Sequence, residues 1–125
     1  MKDILIKAAK AAGEIQRKYY GTELKIESKG ENGIVTQADK EAEEIILSIL
    51  GERYDYGSIA EESGTTTKNS EYYWVIDPID GTSNYSRNIP FFCVSIALFK
   101  NDQPEAAAIY QPLTDELFYA RKHQG

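Results

Sequence analysis

Asp77-Pro78-Ile79-Asp80-Gly81-Thr82 gathers two carboxylates, a rigid proline, a permissive glycine and a hydroxyl into six consecutive residues. The run follows the apolar segment Tyr72-Tyr73-Trp74-Val75-Ile76, which reads as a strand ending at Asp77-Pro78. Its carboxylates are therefore expected at a strand's carboxyl end, where ligands gather in open sheets. Two aspartates three residues apart, on a turn set by Pro78 and Gly81, can converge on hard cations such as Mg²⁺. That ion takes carboxylate, carbonyl and water oxygens in octahedral array. Asp77 could bridge two ions, with Asp80 on one and the Ile79 carbonyl on the other. The N–H groups of Gly81, Thr82 and Ser83, opening a short helix over 81–86, could hold a phosphate. The plain alternative is an ordinary turn with an aspartate N-cap. For the whole run after a buried strand, the metal site is preferred.

Two further acidic clusters precede it. Glu61-Glu62-Ser63 ends a short strand candidate at 58–60. Adjacent glutamates alone suit a solvated surface; at a strand end, one of them could share a cation with Asp77, and alternation lets only one point inward. Asp39 in Val35-Thr36-Gln37-Ala38-Asp39 lies in the first turn of a helix. Its simplest role there is to stabilise the helix dipole, worth about 0.3–1 kcal/mol. Its chemical alternative is a base or orienter for a water.

The positioning elements follow from periodicity. Ile4, Ala8, Ala11, Ile15 and Tyr19 fall at three- and four-residue spacings, with Leu5 and Ala12 widening the stripe. They predict an amphipathic helix over about 3–20, stopped by Gly21. Residues 24–28 alternate like a half-buried strand, 29–33 are turn-rich, and Ile34-Val35 resumes a strand. A second helix is N-capped by Thr36, buries Ala42, Ile45, Ile46, Ile49 and Leu50, and closes at Gly51. Residues 64–70 read as a loop, and strands are expected at 92–99, 106–110 and 117–120, with a turn at 101–104. Two helices followed by several strands imply an α+β layer structure, two amino-terminal helices on a largely antiparallel sheet.

Among the other residues, Cys93 reads as a small buried hydrophobe and His123 as solvent-exposed. Tyr19-Tyr20, Tyr72-Tyr73 and Phe91-Phe92 read as packing residues. The 125 residues hold 20 Asp plus Glu against 14 Lys plus Arg, a formal charge of −6. That balance argues against nucleic acid or an anionic membrane as partner. It leaves room for an anionic substrate, because bound cations invert the local field. A single cysteine forbids an internal disulfide and suits a reducing compartment. No apolar run reaches the length of a membrane span and the start has no signal-peptide plan, so the expected location is cytoplasmic.

Taken together and in this order, the three clusters resemble the inositol monophosphatase family of metal-dependent phosphatases. Residues 33–43, Glu61-Glu62-Ser63, and the stretch Trp74 to Tyr85 each resemble one of its motifs, and Ile89-Pro90-Phe91 with Val94-Ser95-Ile96-Ala97 continues the likeness. The resemblance implies Mg²⁺, with Mn²⁺ a possible substitute, held by Glu61 rather than Glu62, Asp77, the Ile79 carbonyl and Asp80. It implies that Asp39 and Thr82 activate the attacking water, and that Lys29 sits on a flexible basic loop near the metals. It implies lithium sensitivity and a small phosphorylated sugar or inositol as substrate. Fructose-1,6-bisphosphatase activity and a catalytically silent metal- or partner-binding domain are the alternatives. Family members are about twice this length and supply a further aspartate from a later motif that this chain lacks. The chain is thus expected to be the amino-terminal metal-binding half, 1–125, of a layered α/β sugar-phosphatase fold, homodimeric in its full-length form.

Overall fold

The computed structural model describes residues 1–30, 33–68 and 70–123. Glu31 and Asn32 of the expected turn, Asn69 of the expected loop, and the terminal Gln124 and Gly125 lie outside the described residues.

Helix α1 spans Lys2–Tyr19 and helix α2 spans Gln37–Gly51. Between them, β1 (Ile26–Ser28) and β2 (Ile34–Thr36) form a two-stranded antiparallel ribbon. Strands β3 (Gly57–Ala60), β4 (Gly64–Thr66), β5 (Tyr72–Asp80), β6 (Cys93–Lys100), β7 (Gln103–Gln111) and β8 (Glu116–Arg121) build one six-stranded sheet. Its order is β4-β3-β5-β6-β7-β8, and only β3 and β5 run parallel. Helix α3 (Thr82–Ser86) joins β5 to β6. This is the expected α+β architecture, with two amino-terminal helices on a largely antiparallel sheet. Among the described residues, no helix is long and apolar enough to cross a membrane.

Alternation decides which sheet face is covered. Trp74 and Ile76 of β5, Val94, Ile96 and Leu98 of β6, and Ala106, Ala108 and Tyr110 of β7 are buried at every second position. They meet Leu5, Ala8, Ala9 and Ala12 of α1 and Ala42, Ile46, Ile49 and Leu50 of α2. The alanines let the helices approach the sheet closely. The Arg17 guanidinium donates to the Pro112 carbonyl and to the Tyr110 hydroxyl, tying α1 to the end of β7. A smaller cluster of Ala38, Ile79, Tyr85 and Phe92 lies under the β5–α3 junction.

Several expectations need correction. The buried stripe of α1 runs through Ile4, Leu5, Ala8, Ala9, Ala12, Gly13 and Gln16. Ala11, Ile15 and Tyr19 are only partly buried, so the stripe is rotated and takes in a glutamine. In α2, Ile45 is likewise only partly covered, while Glu43 is buried. The strand at 24–28 is shorter and exposed, because among the described residues it pairs with β2 alone. Part of the loop at 64–70 is a strand, β4, paired with β3 as a sheet edge. Strand β5 continues through Pro78 to Asp80 instead of stopping at Asp77. Phe91 is 72% exposed, since it precedes β6, and only Phe92 enters the core.

Other expectations hold. Tyr73 stacks on its cross-strand partner Phe99 with centroids 5.4 Å apart, and Tyr72 stacks on Tyr56. Tyr20 packs against Tyr85 and Phe92, and His123 is exposed.

Candidate metal centre

The pairing of β5 with β6 contains a bulge where the acidic run begins. Asp77 pairs with Ser95 and Asp80 with Cys93, so three steps on β5 oppose two on β6. In a regular strand, residues three apart point to opposite faces. The extra residue re-aims the chain, as bulges near functional sites do. Pro78 and Ile79 are buried in the bulge, Asp77 is half-buried and Asp80 is exposed.

Beyond the bulge, Gly81 takes φ +96°, a left-handed conformation that favours glycine. A Cβ there would stand 2.8 Å from the Phe91 carbonyl oxygen, so both backbone angle and space exclude a side chain. This turn starts α3 and aims the Thr82 hydroxyl back at Asp39, 3.0 Å away, and at the Ile79 carbonyl, also 3.0 Å away.

Asp39 is buried and fully engaged. Its Oδ2 accepts the Thr36 N–H at 2.8 Å and the Thr36 hydroxyl at 2.7 Å. Together with the longer contact from the Asp39 N–H to the Thr36 hydroxyl this is a capping box, with aspartate in the usual glutamate's place. The same carboxylate therefore caps α2 and holds Thr82.

Glu61 and Glu62 sit in a turn after β3, and both face the cleft, so strand alternation does not separate them. Glu43, a buried residue of α2 given no role from sequence, shapes this turn. Its two carboxylate oxygens accept the Glu62 and Ser63 N–H groups, each at 2.8 Å. Its signal lay in the chain: a glutamate inside the apolar face of a helix needs a partner.

Lys29, Asp39, Glu61, Asp77, Ile79, Gly81, Thr82 and Ser83 thus line one cleft of about 280 Å³, together with Glu62 and Asn84. Of the expected site residues only Asp80 is not part of its wall. It lies beside Asp77, close enough for its charge to act there. The Lys29 ammonium stands 3.0 Å from Glu62 and 3.7 Å from Glu61. Burial lowers the Lys29 pKa, but the Glu62 hydrogen bond and the charges of Glu62, Glu61 and Asp39 outweigh it, and the net shift is upward.

Asp77 carries the clearest electrostatic signature. Burial first, then the charges of Glu61, Asp80 and Asp39, push its carboxyl from 3.8 up to about 6. Its surroundings hold more negative charge than the protein itself offsets. Cys93 feels the same field: burial, Asp80 and Asp77 push its thiol up to about 11, so it is a poor nucleophile.

The donors fit a divalent hard cation in type and charge, being carboxylate and carbonyl oxygens around an uncompensated aspartate. They are not pre-assembled: among the described residues, no three acidic, histidine or cysteine side chains are gathered closely enough to hold an ion. The Lys29 ammonium already stands beside Glu61 and Glu62 as a counter-charge.

An acidic cleft at the bulged end of a central strand, bordered by the capping box of α2, is set on an α+β fold. The chain belongs to the inositol monophosphatase family, whose sequence model matches residues 1–125. It is 43% identical over 129 residues to a protein of Vibrio cholerae serotype O1 named Nus factor SuhB, covering 100% of this chain and 48% of that one. It is 38% identical over 125 residues to an inositol monophosphatase of Mesembryanthemum crystallinum, covering 96% and 46%. It superposes with a TM-score of 0.89 on a solved inositol monophosphatase-fructose 1,6 bisphosphatase, at 30% identity, covering 100% of this chain and 50% of that one. The chain spans about half the length of the relatives it matches.

Proposed function

We propose that the cleft is the metal-bearing part of a site that hydrolyses small phosphate monoesters, inositol 1-phosphate or a similar phosphorylated sugar. The observation that carries this is Asp77, whose carboxyl is raised to about 6 by burial and three neighbouring carboxylates with no counter-charge of its own. The family to which the chain belongs supports the reaction class. Glu61, Asp77, the Ile79 carbonyl and Asp80 would hold Mg²⁺, or Mn²⁺ in its place. When bound, such a cation lowers the pKa of a water and stabilises developing phosphoryl charge.

The protein's own residues supply orientation and a proton path. Thr82 Oγ1 donates to Asp39 Oδ1 and borders the cleft, so its oxygen can accept in turn from a water there. A proton leaving that water passes to Thr82 Oγ1 while the Thr82 proton passes to Asp39. Asp39 is buried and acts through Thr82 rather than by touching the water. Gly81 and Ser83 border the same cleft where a phosphate would lie, and Lys29 adds positive charge to its wall.

Phosphate release from inositol 1-phosphate tests the reading. The expected result is Mg²⁺-dependent release that Asp77→Asn abolishes, at a rate far below that of a full-length relative. Fructose 1,6-bisphosphate is the comparison substrate, because the solved relative's name carries both activities. A second reading, a catalytically silent partner-binding domain, draws on the name Nus factor of the Vibrio cholerae relative. The observation favouring it is the uncovered sheet face, where Ile109 is 41% and Phe118 60% exposed. Metal binding without any phosphate release would select that reading. The absence of both metal binding and phosphate release would refute the metal site itself.

A further inference from the structure

Gln16 is the one polar side chain in the buried stripe of α1, and it is fully inaccessible to solvent. Its Nε2 donates to the Pro78 carbonyl at 2.7 Å. Pro78 lies in the bulge, with no partner in register on β6, and the β3 pairing has already ended at Ile76. Its carbonyl thus finds its donor in the helix instead of the sheet. Gln16 also acts through its main chain. Its carbonyl oxygen accepts the Tyr85 hydroxyl at 2.6 Å, besides the Tyr20 N–H at 2.9 Å that closes the helix.

Pro78 and Tyr85 bracket the segment that carries the Ile79 carbonyl, Asp80, Gly81 and Thr82. One residue of α1 therefore pins both ends of the segment. Among the described residues the side chain makes no other bond: Gln16 Oε1 is buried without a partner there. An orphaned acceptor in a core works against stability, so an apolar side chain of equal length would serve packing better. What such a side chain could not do is fix the Pro78 carbonyl.

We propose that Gln16 is a positioning residue: by clamping Pro78 and Tyr85 it sets the bulge so that Asp77 and the Ile79 carbonyl can serve one divalent cation. The inference rests on the metal reading above. It predicts that loss of the amide donor weakens cation binding more than it weakens the fold.

The test uses Mn²⁺ alone, with free ion counted by its electron paramagnetic resonance signal, and thermal melts of the metal-free protein alongside. Gln16→Met keeps length and removes the donor. It should raise the Mn²⁺ Kd about tenfold to a hundredfold, as changes behind metal ligands typically do, with little change in metal-free Tm. Tyr85→Phe removes only the second clamp and should weaken binding in the same direction by a smaller factor. Wild-type binding with an unchanged Kd in Gln16→Met would overturn the proposal. If Gln16→Met melts too early to titrate, an unchanged Kd in Tyr85→Phe overturns it. Absence of Mn²⁺ binding by the wild type would instead overturn the metal reading, and this inference with it.

Discussion

Replacing Asp77 with asparagine should stabilise the cation-free protein at neutral pH and leave it unchanged in acid. The folded state holds this carboxyl at about 6, against 3.8 for an ordinary aspartate. Between those values the folded chain keeps a proton that the unfolded chain has released. Stability therefore falls as pH rises through that window and stays low above it. Two pKa units correspond to about 3 kcal/mol, and the half-buried position calls for a discount to about 1.5 kcal/mol for solvent screening. Asparagine retains the shape and the acceptor oxygen without the charge. Urea melts with chelator present should give Asp77→Asn an advantage of about 1.5 kcal/mol near pH 7.5 and none near pH 4. With saturating Mg²⁺ the order should reverse, because only the wild type gains binding energy. A variant less stable than wild type in chelator at both pH values would refute the reasoning, since the neighbouring carboxylates would then impose no strain.

Other perturbations probe the rest of the wall. Gly81→Ala should cost about 1–3 kcal/mol, from the left-handed φ and the approach to the Phe91 carbonyl, and an unmoved urea midpoint would contradict this. Glu43→Gln turns an amide N–H toward a backbone N–H at the Glu62–Ser63 turn; a loss of about 1.5–3 kcal/mol is expected in thermal melts, and an unchanged Tm would deny the turn its anchor. Lys29→Met removes the ammonium beside Glu61 and Glu62, and Mn²⁺ should bind about fivefold more tightly at low salt by calorimetric titration; weaker binding would show that Lys29 does not compete with the cation.

Much of the site was legible in the chain because its residues are contiguous. Asp77 to Thr82, the Thr36 cap with Asp39, and Glu61 beside Glu62 can each be read from local spacing. The helices and the main sheet strands followed from periods of 3.6 and 2. What stayed hidden depends on partners far away in sequence. The continuation of β5 past Asp77 is a bulge, and bulges exist only against a neighbouring strand. Gln16 meets Pro78 across 62 positions, and Glu43 meets Glu62 across 19. A polar residue within a helical stripe announces such a contact without naming its partner. The short β4 edge was lost in a polar stretch whose threonines suit both loop and strand. Lys29 was placed near the site, yet its pairing with both glutamates, and the absence of a ready-made ligand set among the described residues, depend on how separate segments meet.

The most direct test of the metal centre is calorimetric titration of Mg²⁺ or Mn²⁺ into the wild type and Asp77→Asn at neutral pH. The wild type should give saturable heat that is lost in the variant, because Asp77 is the carboxylate at the centre of the uncompensated charge. Identical heats in the two proteins would contradict it.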